Sequence, residues 1–202
     1  MESEIKGQSL RNYLITLRAL RGNETADRVL ASLSGELRQG LENGAILAGG
    51  WYPVAYKREL HEAGARVTGD PSLARTMGYE MTKHDLGGLY RAFVRIATPR
   101  FVLSVSSRMF STYFRPGIMQ VMERRAGFVK VEFSRCIGFD ANVWKDVIGG
   151  CEATLAVAGA QACRVRFVSG GKDGDDSAIV TAWWTEDGVD SRDSASGADT
   201  EE

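Results

Sequence analysis

The chain has 202 residues, of which 44% are apolar and 25% are charged, and its formal net charge is −1. This composition is typical of a soluble globular protein and excludes a collagen-like, disulfide-scaffold or wholly disordered chain. The sequence has neither a signal-peptide hydrophobic stretch nor a run of about 18 apolar residues, and its three cysteines are an odd number. We therefore expect a cytoplasmic protein without a membrane span.

Charge is distributed unevenly along the chain. Residues 185–202, which we call the acidic tail, hold seven acidic side chains and one basic side chain, a net charge of −6. Since the whole chain carries −1, the remainder carries +5. The tail has too few apolar residues to offset chain entropy by burial. We predict a single α+β domain over residues 1–184 and a disordered acidic tail over 185–202, which either solubilises the protein or folds onto a basic face.

The first half of the chain is predicted to be helical. Leu10, Leu14 and Leu17 recur at the spacing of an amphipathic helix, which we place within residues 5–20. Proline at a first helical position and a preceding capping residue mark the starts of other helices. The further helices predicted in this half cover about 23–33, 54–63, 72–96 and 99–114, the last beginning at Thr98-Pro99.

The second half changes to the period-two pattern of strands. Segments 118–124 and 128–133 alternate apolar and polar residues around a short turn, which predicts an antiparallel hairpin with one solvent-exposed face. A helix over 140–158 follows, and then two strands over 163–168 and 178–184. The sequence thus predicts an α+β fold in which N-terminal helices pack on a four-stranded antiparallel sheet, with one helix between the two hairpins.

Residues typical of catalytic and metal sites are sparse. The two histidines, His61 and His84, are expected to be ordinary core or surface residues, so a Ser-His-Asp or Cys-His triad has little support. Cys136, Cys151 and Cys163 lack the close pairing of structural zinc ligands and are expected to be buried thiols. A three-thiolate metal site or a redox sensor is the alternative. We expect no catalytic residue, no metal and no cofactor.

Arginine is concentrated in the middle of the chain. Residues 91–125 hold seven arginines against one acidic residue, Glu123, with aromatic residues between them. This segment forms either a solvated face or a site for an anionic ligand, a partner or the acidic tail. The positive charge is too weak to indicate nucleic-acid binding.

The break at Thr98-Pro99 is expected to turn two apolar helix faces toward each other. Small-molecule sites are mostly apolar with a few polar groups, which Arg108 or Tyr113 could supply at the mouth. The alternative is a filled hydrophobic core. The predicted ligand-binding residues are Phe93, Phe101, Val105, Arg108, Met109, Phe110 and Tyr113.

Several short motifs between residues 51 and 184 resemble a large family of myxobacterial-type proteins of unknown function. They are Trp51-Tyr52-Pro53, the helix that begins at Thr98-Pro99 and runs through Arg108–Phe114, Glu123-Arg124-Arg125-Ala126-Gly127, Gly149-Gly150-Cys151-Glu152 and Ala182-Trp183-Trp184. More remotely, the chain is similar to 4-vinyl-reductase-like and haem-nitric-oxide-binding domains. That resemblance implies helices over a four-stranded antiparallel sheet, with a small ligand between them. The Tyr-x-Ser-x-Arg motif of the haem subgroup and the paired cysteines of some 4-vinyl-reductase-like members are absent, so the resemblance implies neither haem nor a metal here.

These observations together favour a non-enzymatic signalling module. We expect a sensor or adaptor that binds a small apolar or amphipathic molecule between helices and sheet, and that works with a protein partner or as a homodimer. One alternative is a protein–protein interaction module without a ligand. Another is an enzyme that acts on an aromatic or amphipathic acid through arginine and tyrosine side chains.

Overall fold

A computed structural model of the protein describes residues 2–88 and 98–185. The helices in this part of the chain are α1 (Gly7–Arg21), α2 (Asn23–Ala31), α3 (Gly35–Glu42), α4 (Val54–Thr68), α5 (Leu73–Gly88), α6 (Pro99–Tyr113) and α7 (Ala141–Val157). The strands are β1 (Glu4–Lys6), β2 (Trp51–Pro53), β3 (Phe114–Arg115), β4 (Ile118–Arg125), β5 (Phe128–Ser134), β6 (Gln161–Gly170) and β7 (Ala178–Thr185). Within these ranges, no helix is both long enough and apolar enough to span a membrane.

Four strands form one antiparallel sheet in the order β4-β5-β7-β6. Helix α7 connects the β4-β5 hairpin to the β6-β7 hairpin, and the other helices precede the sheet in the chain. The face of the sheet that meets the helices is apolar, with Val129, Val131 and Phe133 of β5 buried. The predicted α+β fold, with helices on a four-stranded sheet and one helix between its hairpins, is confirmed.

Local capping explains where the two helices nearest the sheet begin. The Thr98 hydroxyl accepts a hydrogen bond from the backbone N–H of Phe101 at 3.3 Å, and Pro99 occupies the first helical position of α6. The Asp140 carboxylate accepts from the backbone N–H of Val143 at 2.7 Å and begins α7 in the same way. Both starts agree with the sequence prediction.

Helices α5 and α7 approach each other closely because glycines face the contact. A Cβ atom at Gly78 would overlap the carbonyl oxygen of Asp146, and one at Gly149 would overlap that of Arg75. The Arg75 guanidinium also pairs with the Glu152 carboxylate and donates to the carbonyl of Val165 on β6, at 3.2 Å. These contacts fix the two helices and the sheet relative to one another.

The sequence analysis missed a second, small sheet with strand order β2-β1-β3. Its strands have two or three residues, too few for an alternating pattern to be recognised. Trp51–Pro53 therefore forms a strand, and Pro53 is the residue before α4 and not its first helical residue. Helix α3 was missed as well, since Leu37 is its one buried residue.

Other predicted boundaries also shift. Helix α5 begins at Leu73, one residue later than predicted, and just before it the Asp70 carboxylate accepts hydrogen bonds from the backbone N–H and the hydroxyl of Ser72. Residues 89–96 of the long helix predicted there lie outside the described residues. At the other end, Thr185 belongs to β7 and its hydroxyl donates to the carbonyl of Gln161 at 3.2 Å. The rest of the predicted acidic tail, 186–202, lies outside the described residues.

Candidate functional site

A cavity of about 150 Å³ lies between the helices and the inner face of the four-stranded sheet. Side chains from all four strands of this sheet form its floor, and α5, α6 and α7 form most of its walls. The apolar residues that line it include Met81, Met109, Phe110, Met119, Val131, Phe133, Val147, Leu155, Val180 and Ala182. Three of these are methionines, whose flexible side chains adapt to the shape of a guest.

A carboxylate held by two neutral groups lies on the cavity wall. Asp85 of α5 accepts a hydrogen bond from the Asn12 amide at 2.7 Å and another from the Tyr113 hydroxyl at 3.0 Å. The Asp85 side chain is 18% exposed, and both Asp85 and Tyr113 line the cavity. The carboxylate therefore has a fixed orientation at the edge of an apolar space.

Two hydroxyl groups on the wall already donate to the backbone of their own helices. The Ser106 hydroxyl donates to the carbonyl of Leu103 at 2.9 Å, and the Thr154 hydroxyl donates to the carbonyl of Gly150 at 2.7 Å. These oxygens still have lone pairs for a guest. Toward the cavity, Ser106 and Thr154 therefore act as acceptors.

A buried charge cluster of Lys57, His61 and Asp146 lies behind another part of the wall. The Asp146 Oδ1 atom is 3.0 Å from Lys57 Nζ and 3.3 Å from His61 Nε2. Lys57 Nζ also donates to the Ser9 hydroxyl at 3.2 Å. Ser9 and Asp146 line the cavity, whereas Lys57 and His61 are fully buried on the side away from it.

The charges within this cluster balance. Burial by itself raises the pKa of the Asp146 carboxyl, but the Lys57 ammonium and His61 outweigh burial and hold that pKa below its usual range. Burial lowers the pKa of the His61 imidazole, and the contact with Asp146 offsets this only in part. At neutral pH the cluster therefore pairs one ammonium with one carboxylate beside a neutral imidazole.

Cys151 also lines the cavity, but its thiol is poorly suited to act as a nucleophile or a metal ligand. Burial, with a smaller effect of Glu152, raises the pKa of the Cys151 thiol to about 12. A protonated thiol is neither a good nucleophile nor a metal ligand at neutral pH. Cys136, Cys151 and Cys163 are all free, and no group of three His, Cys, Asp or Glu side chains in 2–88 and 98–185 is placed to hold a metal ion.

Some of the residues predicted for the ligand site line the cavity and others do not. Met109, Phe110 and Tyr113 line the cavity. The centroid of the Phe110 ring lies 5.0 Å from that of Phe133 on the cavity floor. Phe93 lies outside the described residues. Phe101, Val105 and Arg108 do not line the cavity, and their role in ligand binding stays a prediction.

The geometry of α6 explains which of these residues line the cavity. Phe101, Val105 and Arg108 are spaced along one helix face, and Phe101 is 45% exposed. Val102, Ser106, Met109 and Tyr113 follow one residue later on the face that meets the cavity. Both faces carry apolar side chains, so the sequence periodicity did not distinguish them.

Sequence reasoning also missed the polar residues of the site. Asp146 lies between Val143 and Val147 in an apolar helix, and Lys57 and His61 are one helical turn apart among buried residues of α4. A charged residue within an apolar helix face is a usable signal, because such groups are rarely buried without partners. No comparable signal marks Asp85, which adjoins a polar surface stretch.

No family model and no curated protein sequence matches this chain. Solved structures do match it, among them several H-NOX (haem-nitric oxide/oxygen binding) proteins. A variant of the Fe(II) unliganded H-NOX protein from K. algicida is 14% identical, with a TM-score of 0.67 over 91% of this chain and 98% of its own. A variant of T. tengcongensis H-NOX is 17% identical, with a TM-score of 0.63 over 89% and 97%.

The IWP-051-bound H-NOX from Shewanella woodyi in the Fe(II)CO state is 15% identical, with a TM-score of 0.60 over 92% of this chain and 97% of its own. Such identities show a shared fold and nothing finer. The resemblance to haem-nitric-oxide-binding domains is therefore confirmed at the level of fold. The resemblances to a myxobacterial-type family and to 4-vinyl-reductase-like domains stay predictions.

Within residues 2–88 and 98–185, the side chains around the cavity do not fit a haem group. Proteins hold haem iron through histidine, cysteine thiolate, tyrosine or a methionine–histidine pair. His84 is 74% exposed and His61 is closed within the buried charge cluster, so neither lines the cavity. The Cys151 thiol is protonated and the Tyr113 hydroxyl is bonded to Asp85. A cavity of about 150 Å³ is also the size that accepts benzene, which is far smaller than a porphyrin.

Proposed function

We propose that the protein is a cytoplasmic, non-enzymatic sensor or adaptor module that binds a small apolar or amphipathic molecule between its helices and its sheet. The apolar cavity of about 150 Å³ at this interface is the observation that carries the proposal. An engineered cavity of about the same volume, lined by apolar side chains, binds benzene or xenon. The similarity of the fold to H-NOX proteins, and the remoter resemblance to 4-vinyl-reductase-like domains, support a ligand in this place.

The chemistry of the cavity wall supports binding over catalysis. Catalytic groups are usually a nucleophile and a base within hydrogen-bond reach of each other. Around this cavity, the Tyr113 hydroxyl donates to the Asp85 carboxylate, but the Cys151 thiol is neutral, the Asp146 carboxylate is paired with Lys57, and the Ser106 and Thr154 hydroxyls are bonded to backbone carbonyls. Such groups can orient a guest without activating it.

A bound molecule would contact several elements at once. The lining residues belong to α5, α6, α7 and every strand of the larger sheet, so a guest would favour one arrangement of the helices on the sheet. A protein partner or a second copy of the chain would then recognise that arrangement.

Two serines on α6 provide a matched test. Ser106 lines the cavity, whereas Ser104 is exposed on the same helix, and each donates its hydroxyl hydrogen to the carbonyl three residues earlier. Ser106→Leu should fill the cavity, and Ser104→Leu should leave it open. The probe is toluene, and the measurement is the melting temperature as a function of toluene concentration.

We expect toluene at ten times its Kd to stabilise the unaltered protein and Ser104→Leu by about 1.4 kcal/mol. In a chain of this length, that corresponds to about 3–6 °C. Ser106→Leu should show no shift, because its cavity is occupied. The proposal would be overturned if toluene did not raise the melting temperature of the unaltered protein, or if it raised the melting temperatures of the two variants equally.

A further inference from the structure

Among the polar side chains around the cavity, hydrogen-bond acceptors outnumber the hydroxyls that still have a hydrogen to donate, which are those of Ser9 and Thr82. Ser106 and Thr154 donate their hydroxyl hydrogens to backbone carbonyls, and Tyr113 donates its own to Asp85. The carboxylates of Asp85 and Asp146 can only accept. A ligand that is complementary to this wall therefore carries hydrogen-bond donors.

The charge of the cavity wall also favours a ligand that carries hydrogen-bond donors. Among the described residues that line the cavity there are two carboxylates and no lysine, arginine or histidine. Asp146 is neutralised by Lys57 at 3.0 Å. Asp85 is held by the neutral amide of Asn12 and the neutral hydroxyl of Tyr113, and the His84 imidazole that lies 3.8 Å from it is 74% exposed to solvent. A cation placed beside Asp85 would therefore meet a carboxylate with unused lone pairs.

Aromatic rings complete this environment. Phe110, Tyr113, Phe114 and Phe133 all line the cavity, and the Phe110 ring centroid is 5.1 Å from that of Phe114. The faces of such rings carry partial negative charge and attract ammonium groups within about 6 Å. The cavity volume of about 150 Å³ leaves room for roughly one six-membered ring.

We propose that the ligand of this cavity is a compact amine, with an apolar body in the cavity and a protonated nitrogen that donates hydrogen bonds to the Asp85 carboxylate. This inference rests on the proposed function and specifies the ligand class. It disfavours an aromatic acid, because a carboxylate ligand would meet the Asp85 carboxylate at the edge of an apolar space, where like charges repel strongly.

Three probes of one shape separate charge from size. Benzylammonium, toluene and benzoate share a benzene ring with one substituent, and they are respectively cationic, neutral and anionic at neutral pH. Binding is measured by titration calorimetry, or by the ligand-dependent melting temperature, on the full-length protein. We expect benzylammonium to bind at least about tenfold more tightly than toluene, a difference of about 1.4 kcal/mol, and benzoate to bind more weakly than toluene.

The variant Asp85→Asn tests the assigned contact. It keeps the shape of the side chain and removes its charge, so benzylammonium should bind to this variant no more tightly than toluene does. Asp27→Asn makes the same change at a side chain that is 65% exposed and away from the cavity, and it should alter neither affinity.

The outcomes distinguish the two proposals. If toluene binds but benzoate matches benzylammonium, the ligand class is wrong; if the amine preference survives in Asp85→Asn, the contact with Asp85 is wrong; in both cases the proposed function stands. If none of the three probes binds, toluene included, the proposed function fails and this inference fails with it. Should Asp85→Asn not fold, the order of the probes on the unaltered protein still decides, since benzoate binding as tight as that of benzylammonium overturns the inference.

Discussion

His61 and Asp146, the titrating residues of the buried charge cluster, tie the stability of the fold to pH. The folded-state pKa of His61 lies below its usual range because of burial, so on acidification the unfolded chain takes up this proton first. Its contribution is fully present above about pH 6.5 and is lost as the pH falls below that value. The folded-state pKa of Asp146 is also lowered, so a second loss follows below about pH 4. Because of both groups, the folded protein becomes less stable as the pH falls.

We predict that the free energy of unfolding falls between pH 6.5 and pH 5, and that His61→Gln removes most of this slope. Urea unfolding of the unaltered protein and the variant at several pH values measures it. His84→Gln is the control, since that side chain is 74% exposed and its removal should leave the slope in place. Equal slopes in all three proteins would show that His61 is not the group responsible.

At the scale of the elements, close packing of α5 on α7 sets the position of the cavity wall. Gly78 and Asp146 both line the cavity, and the Gly78 Cα lies against the backbone of Asp146. An alanine in the middle of a helix is normally favoured over glycine by about 1 kcal/mol. Here the added methyl group would overlap a carbonyl oxygen that belongs to a helix and cannot easily move.

We predict that Gly78→Ala destabilises the fold by about 1–3 kcal/mol, the usual effect of overpacking, despite its better helix propensity. Gly35→Ala is the matched control, because it lies at the start of α3 and its Cβ would meet nothing within 4 Å. Chemical denaturation of both variants gives the comparison. A neutral or stabilising effect at Gly78 would mean that α5 and α7 are less tightly packed than described.

The elements themselves were predictable where the signal was local. The start of α6 depends on Thr98 and Pro99, and the β4-β5 hairpin depends on alternation across a short turn, so both could be predicted from neighbouring residues. The small sheet could not, because β1 pairs with strands some 47 and 110 positions further along the chain, through two or three residues each. Such pairing is fixed by tertiary contacts, as with the burial of Ile5 between the partners.

At the scale of the whole molecule, the cavity could not be predicted from local sequence signals either. Its wall draws on residues from Ser9 to Ala182, which only the folded chain brings together. Periodicity predicted that α6 is apolar on one side, and Met109, Phe110 and Tyr113 from that prediction line the cavity, but it did not indicate which face of the helix meets the sheet. The polar contacts among Asn12, Asp85 and Tyr113 join three helices, and no spacing within one segment encodes them.

The acidic tail bears on the charge of the whole molecule. Residues 186–202 carry −6, so a chain cut after Thr185 carries +5 instead of −1. The cut belongs after Thr185 because that residue pairs with Gln161 as the last residue of β7. Composition predicts that the tail contributes little apolar burial, so its removal should shift the melting temperature by at most about 2 °C. Differential scanning calorimetry of the two chains at low and high salt measures this. A loss of about ten degrees at low salt that shrinks at high salt would instead show the tail bound to a basic face, since salt screens such contacts.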